Sequence, residues 1–134
     1  MNIRPQMPLK VFFDGQCPLC RREIAYYHRI DSAQHLQCID IMGPDFVAQR
    51  YGLDTARVHA VMHAQDAAGQ VYTELDAFEA IWAALPPSLG RRLLRRLLNI
   101  RPIRAMASVA YRLFARNRWR LTGRCAPDGA CQRN

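Results

Sequence analysis

The sequence predicts an α/β domain followed by a basic helical extension, and three observations carry that reading. A short apolar run, Val11-Phe12-Phe13, ends at Asp14-Gly15 and passes directly into a helical pattern. Period-two and helical patterns then alternate as far as Leu85. Beyond Pro87, leucines and arginines recur at helical spacing with almost nothing acidic among them. At 134 residues the chain is of single-domain length and can bury a core.

Lys10 to Asp14 reads as a buried parallel strand, short and closed by Asp-Gly. Pro18 to about Ile30 reads as a helix with Cys20, Ile24 and Tyr27 inward and Arg21, Arg22 and Arg29 outward. Leu36 to Ile41 is a second strand. Pro44 to Tyr51 is expected to be a helix, opened by its proline and stopped by Gly52. Val58 to Gln65 and Gln70 to Thr73 are expected as two strands around the turn signal Asp66-Ala67-Ala68-Gly69. Asp76 to Leu85 is a helix with Ala77, Phe78, Ile81, Trp82 and Leu85 on one side, halted by Pro86-Pro87. The resulting order, β-α-β-α-β-β-α, occupies residues 1–87. Residues 88–134 form a basic amphipathic helical extension, packed on or beside that core within one domain.

The net charge of +8 is unevenly distributed. Residues 1–90 carry seven basic and ten acidic side chains, whereas residues 91–134 carry twelve arginines and one acid, Asp128. The first helix of the extension groups Leu89, Leu93, Leu94, Leu97 and Leu98 against Arg91, Arg92, Arg95 and Arg96, and Arg101-Pro102 breaks it. The second groups Met106, Val109, Ala110, Leu113 and Phe114 against Arg112, Arg116 and Arg120. Two readings stay open. Either the apolar stripes pack on the domain under a solvated arginine face, or residues 88–124 meet an anionic membrane surface or an acidic protein, with Trp119 suited to the interface. Nucleic acid ranks lower, because lysine is scarce and neither a reading helix nor an aromatic platform is evident. No secretory signal and no membrane-spanning run is apparent, so the expected location is the cytoplasm, with peripheral membrane attachment allowed.

Cys17-Pro18-Leu19-Cys20 lies at the strand-to-helix junction. The first cysteine falls at the expected helix N-cap, and Pro18 falls at the first helical position, where its missing N–H costs nothing. The helix end favours a thiolate at Cys17. Cys20 lies one turn further in and is expected to be the less accessible, so Cys17 reads as the attacking thiol and Cys20 as the resolving one. A C-x-x-C also serves as half of a zinc site or as two inert buried cysteines, but the strand-turn-helix context favours redox chemistry. No metal or bound cofactor is expected, only an external thiol reductant.

The stretch Val11-Phe12-Phe13-Asp14-Gly15-Gln16-Cys17-Pro18-Leu19-Cys20 resembles the signature of the DCC family of thiol-disulfide oxidoreductases, named for an Asp-Cys-Cys pattern that falls here on Asp14, Cys17 and Cys20. The resemblance continues through Ala77-Phe78 and Leu85-Pro86 to Tyr111 and Arg118. The resemblance implies a thioredoxin-like fold and names no substrate; with the cysteine pair, the expected activity is disulfide reduction on a protein or a small molecule. Thioredoxin-fold enzymes usually set a cis-proline opposite the cysteines to dock substrate. Leu53 to Val58, ahead of the expected third strand, contains no proline, which points to another docking edge or a small substrate.

Asp14 has two candidate roles, a proton acceptor for Cys20 during resolution and a hydrogen-bond acceptor in the turn that presents the pair. Arg22, with Pro18, is a candidate contact for an acidic substrate; a solvated helix face is the alternative. Cys38, within the second strand, reads as a small buried hydrophobe. Cys125 and Cys131 flank a turn-rich segment and could shuttle a disulfide, although a reduced tail is the simpler expectation. His59 and His63, four apart on the expected strand, would lie about 13 Å from each other and make poor joint ligands. His28 and His35 read as surface residues. Two functions remain: a thiol-disulfide oxidoreductase, or a basic adaptor in which the C-x-x-C is a metal-binding or structural element.

Overall fold

A computed structural model describes residues 3–121. Cys125 and Cys131, and the side chain of Trp119, lie outside what it describes. Four strands, β1 (Leu9–Phe13), β2 (Leu36–Asp40), β3 (His63–Gln65) and β4 (Val71–Thr73), form one sheet in the order β2-β1-β3-β4. Strand β1 runs parallel to β2, with Val11 opposite Cys38, and antiparallel to β3, with Phe12 opposite His63. Strands β3 and β4 form an antiparallel hairpin closed at Gly69, whose φ of +87° favours glycine. Among the described residues, helices α1 (Pro18–Ile30), α2 (Thr55–Ala60), α3 (Leu75–Ala84), α4 (Leu89–Leu98) and α5 (Arg101–Leu121) accompany the sheet, with one 3₁₀ turn at Ala48–Tyr51.

The period of two along β1 divides the core. Leu9 and Val11 join Ile24 and Tyr27 of α1 and Ala77, Ala80 and Ile81 of α3 on one side of the sheet. Phe12 points to the other side, among Ile41, Ala48, Leu53 and Val58, with the Tyr51 ring edge-on at 5.1 Å. Each of these fully buried large side chains contributes about 1.5–3 kcal/mol by leaving water. The parallel pair β1-α1-β2, the hairpin β3-β4 and the returning α3 make the fold thioredoxin-like.

Two expected elements differ. Residues 58–65 are not one strand: α2 takes its first part, and β3 begins only at His63. Asp54 is the cause, since its side chain accepts the Arg57 N–H at 2.9 Å and caps a short helix whose buried residue is Val58. His59 therefore sits on a helix and His63 on a strand. The helix expected over 44–51 is reduced to the 3₁₀ turn, because Val47 is extended (φ −130°, ψ 109°) and cannot continue a helix from Pro44. Gly52 ends that turn with φ +70°, as its sequence position implied.

Helix α5 packs back on the core. Its Arg104 pairs with Asp76 and, at 3.2 Å, with the buried Glu79 of α3. Tyr111 meets Phe78 edge-on at 5.7 Å. Of the α4 stripe, Leu98 is buried whereas Leu89, Leu93, Leu94 and Leu97 are exposed; of the α5 stripe, Met106, Val109 and Leu113 are exposed while Phe114 lines a cavity, so packing on the domain accounts for only part of each stripe. Among the described residues, no helix is long and apolar enough to cross a membrane.

Candidate active site

The turn between β1 and α1 is held from two directions. Asp14 accepts the Gln16 N–H on its carboxylate at 2.9 Å and the Cys17 N–H on its carbonyl at 3.1 Å. Asp40, at the end of β2, accepts the Gly15 and Met42 N–H groups, each at 2.9 Å. A Cβ on Gly15 would stand 1.9 Å from the Asp40 carboxylate, so a larger residue there would push Asp40 out of its place against the turn. Sequence reasoning passed over Asp40. Its signal was an aspartate ending a strand beside the motif strand, where a loop needs acceptors.

Cys17 is the N-cap of α1, with φ −81° and ψ 118°, and Pro18 follows in the first turn. The Cys17 Sγ accepts the Cys20 N–H at 3.3 Å. The expected order of accessibility is reversed: Cys17 is 0 % exposed, whereas Cys20 is only partly buried.

The Cys20 thiol is pushed up to about 12, first by burial, then by its hydrogen bond to Cys17 and the charge there. Arg118 opposes that rise and Asp14 adds to it. Cys20 faces a small cavity of about 60 Å³ whose lining includes Asp14, Glu23, Met62, Tyr111 and Arg118. The last two come from α5, so the extension supplies one wall of the site. Burial also raises the Glu23 carboxyl, which holds the Tyr27 hydroxyl.

Opposite the cysteines, β3 is preceded by Val61-Met62 with no proline, and among the described residues the cis peptide is Met7-Pro8, far along the chain from this point. Both polar backbone groups of Met62 are engaged: its N–H donates to the Tyr111 hydroxyl at 2.7 Å, and its carbonyl accepts the Glu74 N–H at 3.0 Å. Arg118 donates to the carbonyl of His59 nearby.

The remaining residues fall apart from this cluster. Pro18 and Arg22 are exposed, and neither lines the cavity. Cys38 is partly buried against the core, with its thiol pushed up to about 11 by burial and then by Asp31. His28 is exposed, but His35 is partly buried with Nδ1 2.9 Å from the Ala84 carbonyl, which corrects its assignment to the surface. Among the described residues, no three or more His, Cys, Asp or Glu gather as a metal ion requires.

A cysteine pair at the first turn of the helix that follows the central strand, on a thioredoxin-like sheet, defines a thiol-redox scaffold. The family of DCC1-like thiol-disulfide oxidoreductases matches residues 11–124, and the chain belongs to that family. It is also similar to an uncharacterized chloroplastic protein of Arabidopsis thaliana, 29% identical over 118 residues. That alignment covers 87% of this chain and 53% of the relative, so the chain spans about half the relative's length. No solved structure matches the chain.

Proposed function

We propose that Cys17 and Cys20 form a redox pair that reduces disulfides, Cys17 attacking and Cys20 resolving. The observation that supports this assignment best is the state of Cys20, whose thiol is pushed up to about 12 and therefore holds its proton at neutral pH. The nucleophile of such exchange is a thiolate, and Cys17, the N-cap of α1, is assigned that role. A Cys17 thiolate attacks one sulfur of the substrate disulfide, forms a mixed disulfide and expels the second substrate sulfur as a thiolate. Cys20 then loses its proton, attacks Cys17 Sγ and releases the first substrate sulfur, which leaves the bond between Cys17 and Cys20. An external dithiol returns the pair to the reduced state and is itself oxidised.

Asp14 is proposed as the proton acceptor for Cys20, since both line one cavity and its charge acts on that thiol. Pro18 and Arg22 are proposed as an outer contact for an acidic substrate. Because Met62 has no backbone group free, the reading favours a small disulfide, or a protein loop docking elsewhere, over an extended strand paired at this edge. Cys17 is 0 % exposed and must be uncovered before it can attack. A reducing compartment, the cytoplasm in the first instance, suits a pair that rests as thiols.

A redox titration of the pair, with metal analysis on the same sample, tests the proposal. A two-electron midpoint between about −270 and about −200 mV is expected. A midpoint below about −300 mV would make the bond structural, and stoichiometric zinc would make the pair a metal site; either overturns the redox reading.

A further inference from the structure

We propose that α4 docks this protein on an anionic lipid surface, its leucine stripe entering the acyl boundary and its arginines meeting the headgroup phosphates. Leu89, Leu93, Leu97 and Ile100 recur on one side of α4 and its C-terminal turn, and they are 84, 56, 37 and 47 % exposed. The usual arrangement of an amphipathic helix is inverted. Arg91 and Arg95 turn toward the body, where they donate to the carbonyls of Pro86 and Ile3, and Leu98 is the leucine that is buried. An aligned apolar row left in water marks a contact surface. Helix α5 continues the character with exposed Met106, Val109 and Leu113.

Charge decides what the row fits. No Asp or Glu occurs between Glu79 and Asp128, and the exposed Arg92 and Arg96 border the stripe. A second copy paired through the same stripe would bring these arginines toward their own counterparts, with no carboxylate on α4 or α5 to separate them. A bilayer with anionic lipids offers apolar depth to the leucines and phosphates to the arginines together. Beside the first turn of α4, a cleft of about 240 Å³ is lined by Trp82, Ser88, Arg91, Arg92 and Arg95, so Arg92 belongs both to the border of the stripe and to a recess able to take a headgroup phosphate.

The test uses the full chain and sedimentation with phosphatidylcholine vesicles, with and without phosphatidylglycerol, at low and physiological salt. Anionic vesicles are expected to bind at least about tenfold more protein than neutral ones, and salt is expected to weaken the binding. Two double variants separate the contributions: Leu93→Gln with Leu97→Gln removes apolar depth without changing charge, and Arg92→Gln with Arg96→Gln removes charge. Each should lower binding about tenfold while thermal melting and the rate of disulfide reduction match wild type. Three results would overturn the proposal: equal binding to neutral and anionic vesicles, undiminished binding of the leucine variant, or light scattering showing a dimer that the leucine variant dissociates. The last would assign the stripe to a second copy.

Discussion

The backbone N–H of Met62 donates to the Tyr111 hydroxyl at 2.7 Å, 49 residues apart in sequence, and fastens α5 to the end of β3 beside the cysteine pair. With Arg118 bonded to His59 and acting on Cys20, this contact sets the basic extension against the cysteine pair.

Tyr111→Phe should therefore lower stability by about 1–3 kcal/mol, because it leaves the Met62 N–H without its acceptor while keeping the ring against Phe78. Arg118→Gln removes the cation that opposes the rise in Cys20 and should slow resolution further. Urea unfolding of the first variant and single-turnover kinetics of the second provide the measurements. Wild-type values in both would reduce α5 to a passive cover.

The two cysteines should separate under alkylation despite the burial of Cys17. A thiol near 12 is ionised to about one part in ten thousand at pH 8, so a small reagent should label Cys17 before Cys20 or Cys38. Cys17→Ser should abolish disulfide reduction, and Cys20→Ser should accumulate a mixed disulfide with substrate. Mass spectrometry that finds Cys20 or Cys38 labelled first would exchange the assigned roles.

Asp14→Asn keeps the acceptor for Gln16 and removes the base. Resolution by Cys20 should slow severalfold while the melting temperature stays at the wild-type value. Unchanged resolution kinetics would confine Asp14 to holding the turn.

Stability should fall as pH drops below about 6.5 through His63. Burial lowers its pKa below the ordinary value, and Nδ1 lies 2.9 Å from the Val61 carbonyl. The unfolded chain then binds this proton more tightly, so the contribution is complete above the unfolded pKa and is lost as pH drops toward the folded one. His63→Gln should flatten this part of the profile in thermal melts. A variant with the same slope as wild type would place the titrating group elsewhere.

Much of the core was legible because it rests on local rules. The run Val11 to Phe13, the Asp-Gly turn, the N-terminal Pro18 and the Pro86-Pro87 stop each act within a few residues, and β1, α1 and α3 followed to within a residue or two. Where one polar side chain decided, periodicity misled: Asp54 capped α2 inside an expected strand, and an extended Val47 left only a 3₁₀ turn. For the site, sequence alone determined the cysteine pair, its helix position and the flanking aspartate, since all lie within seven residues. Tertiary structure alone decided that Cys17 is buried, that Asp40 secures Gly15 from another strand, and that Tyr111 and Arg118 reach the cavity. It also decided which face of α4 meets water. Helical spacing defines a stripe without its direction, and here the carbonyls of Ile3 and Pro86 hold the arginines inward and leave the leucines outside.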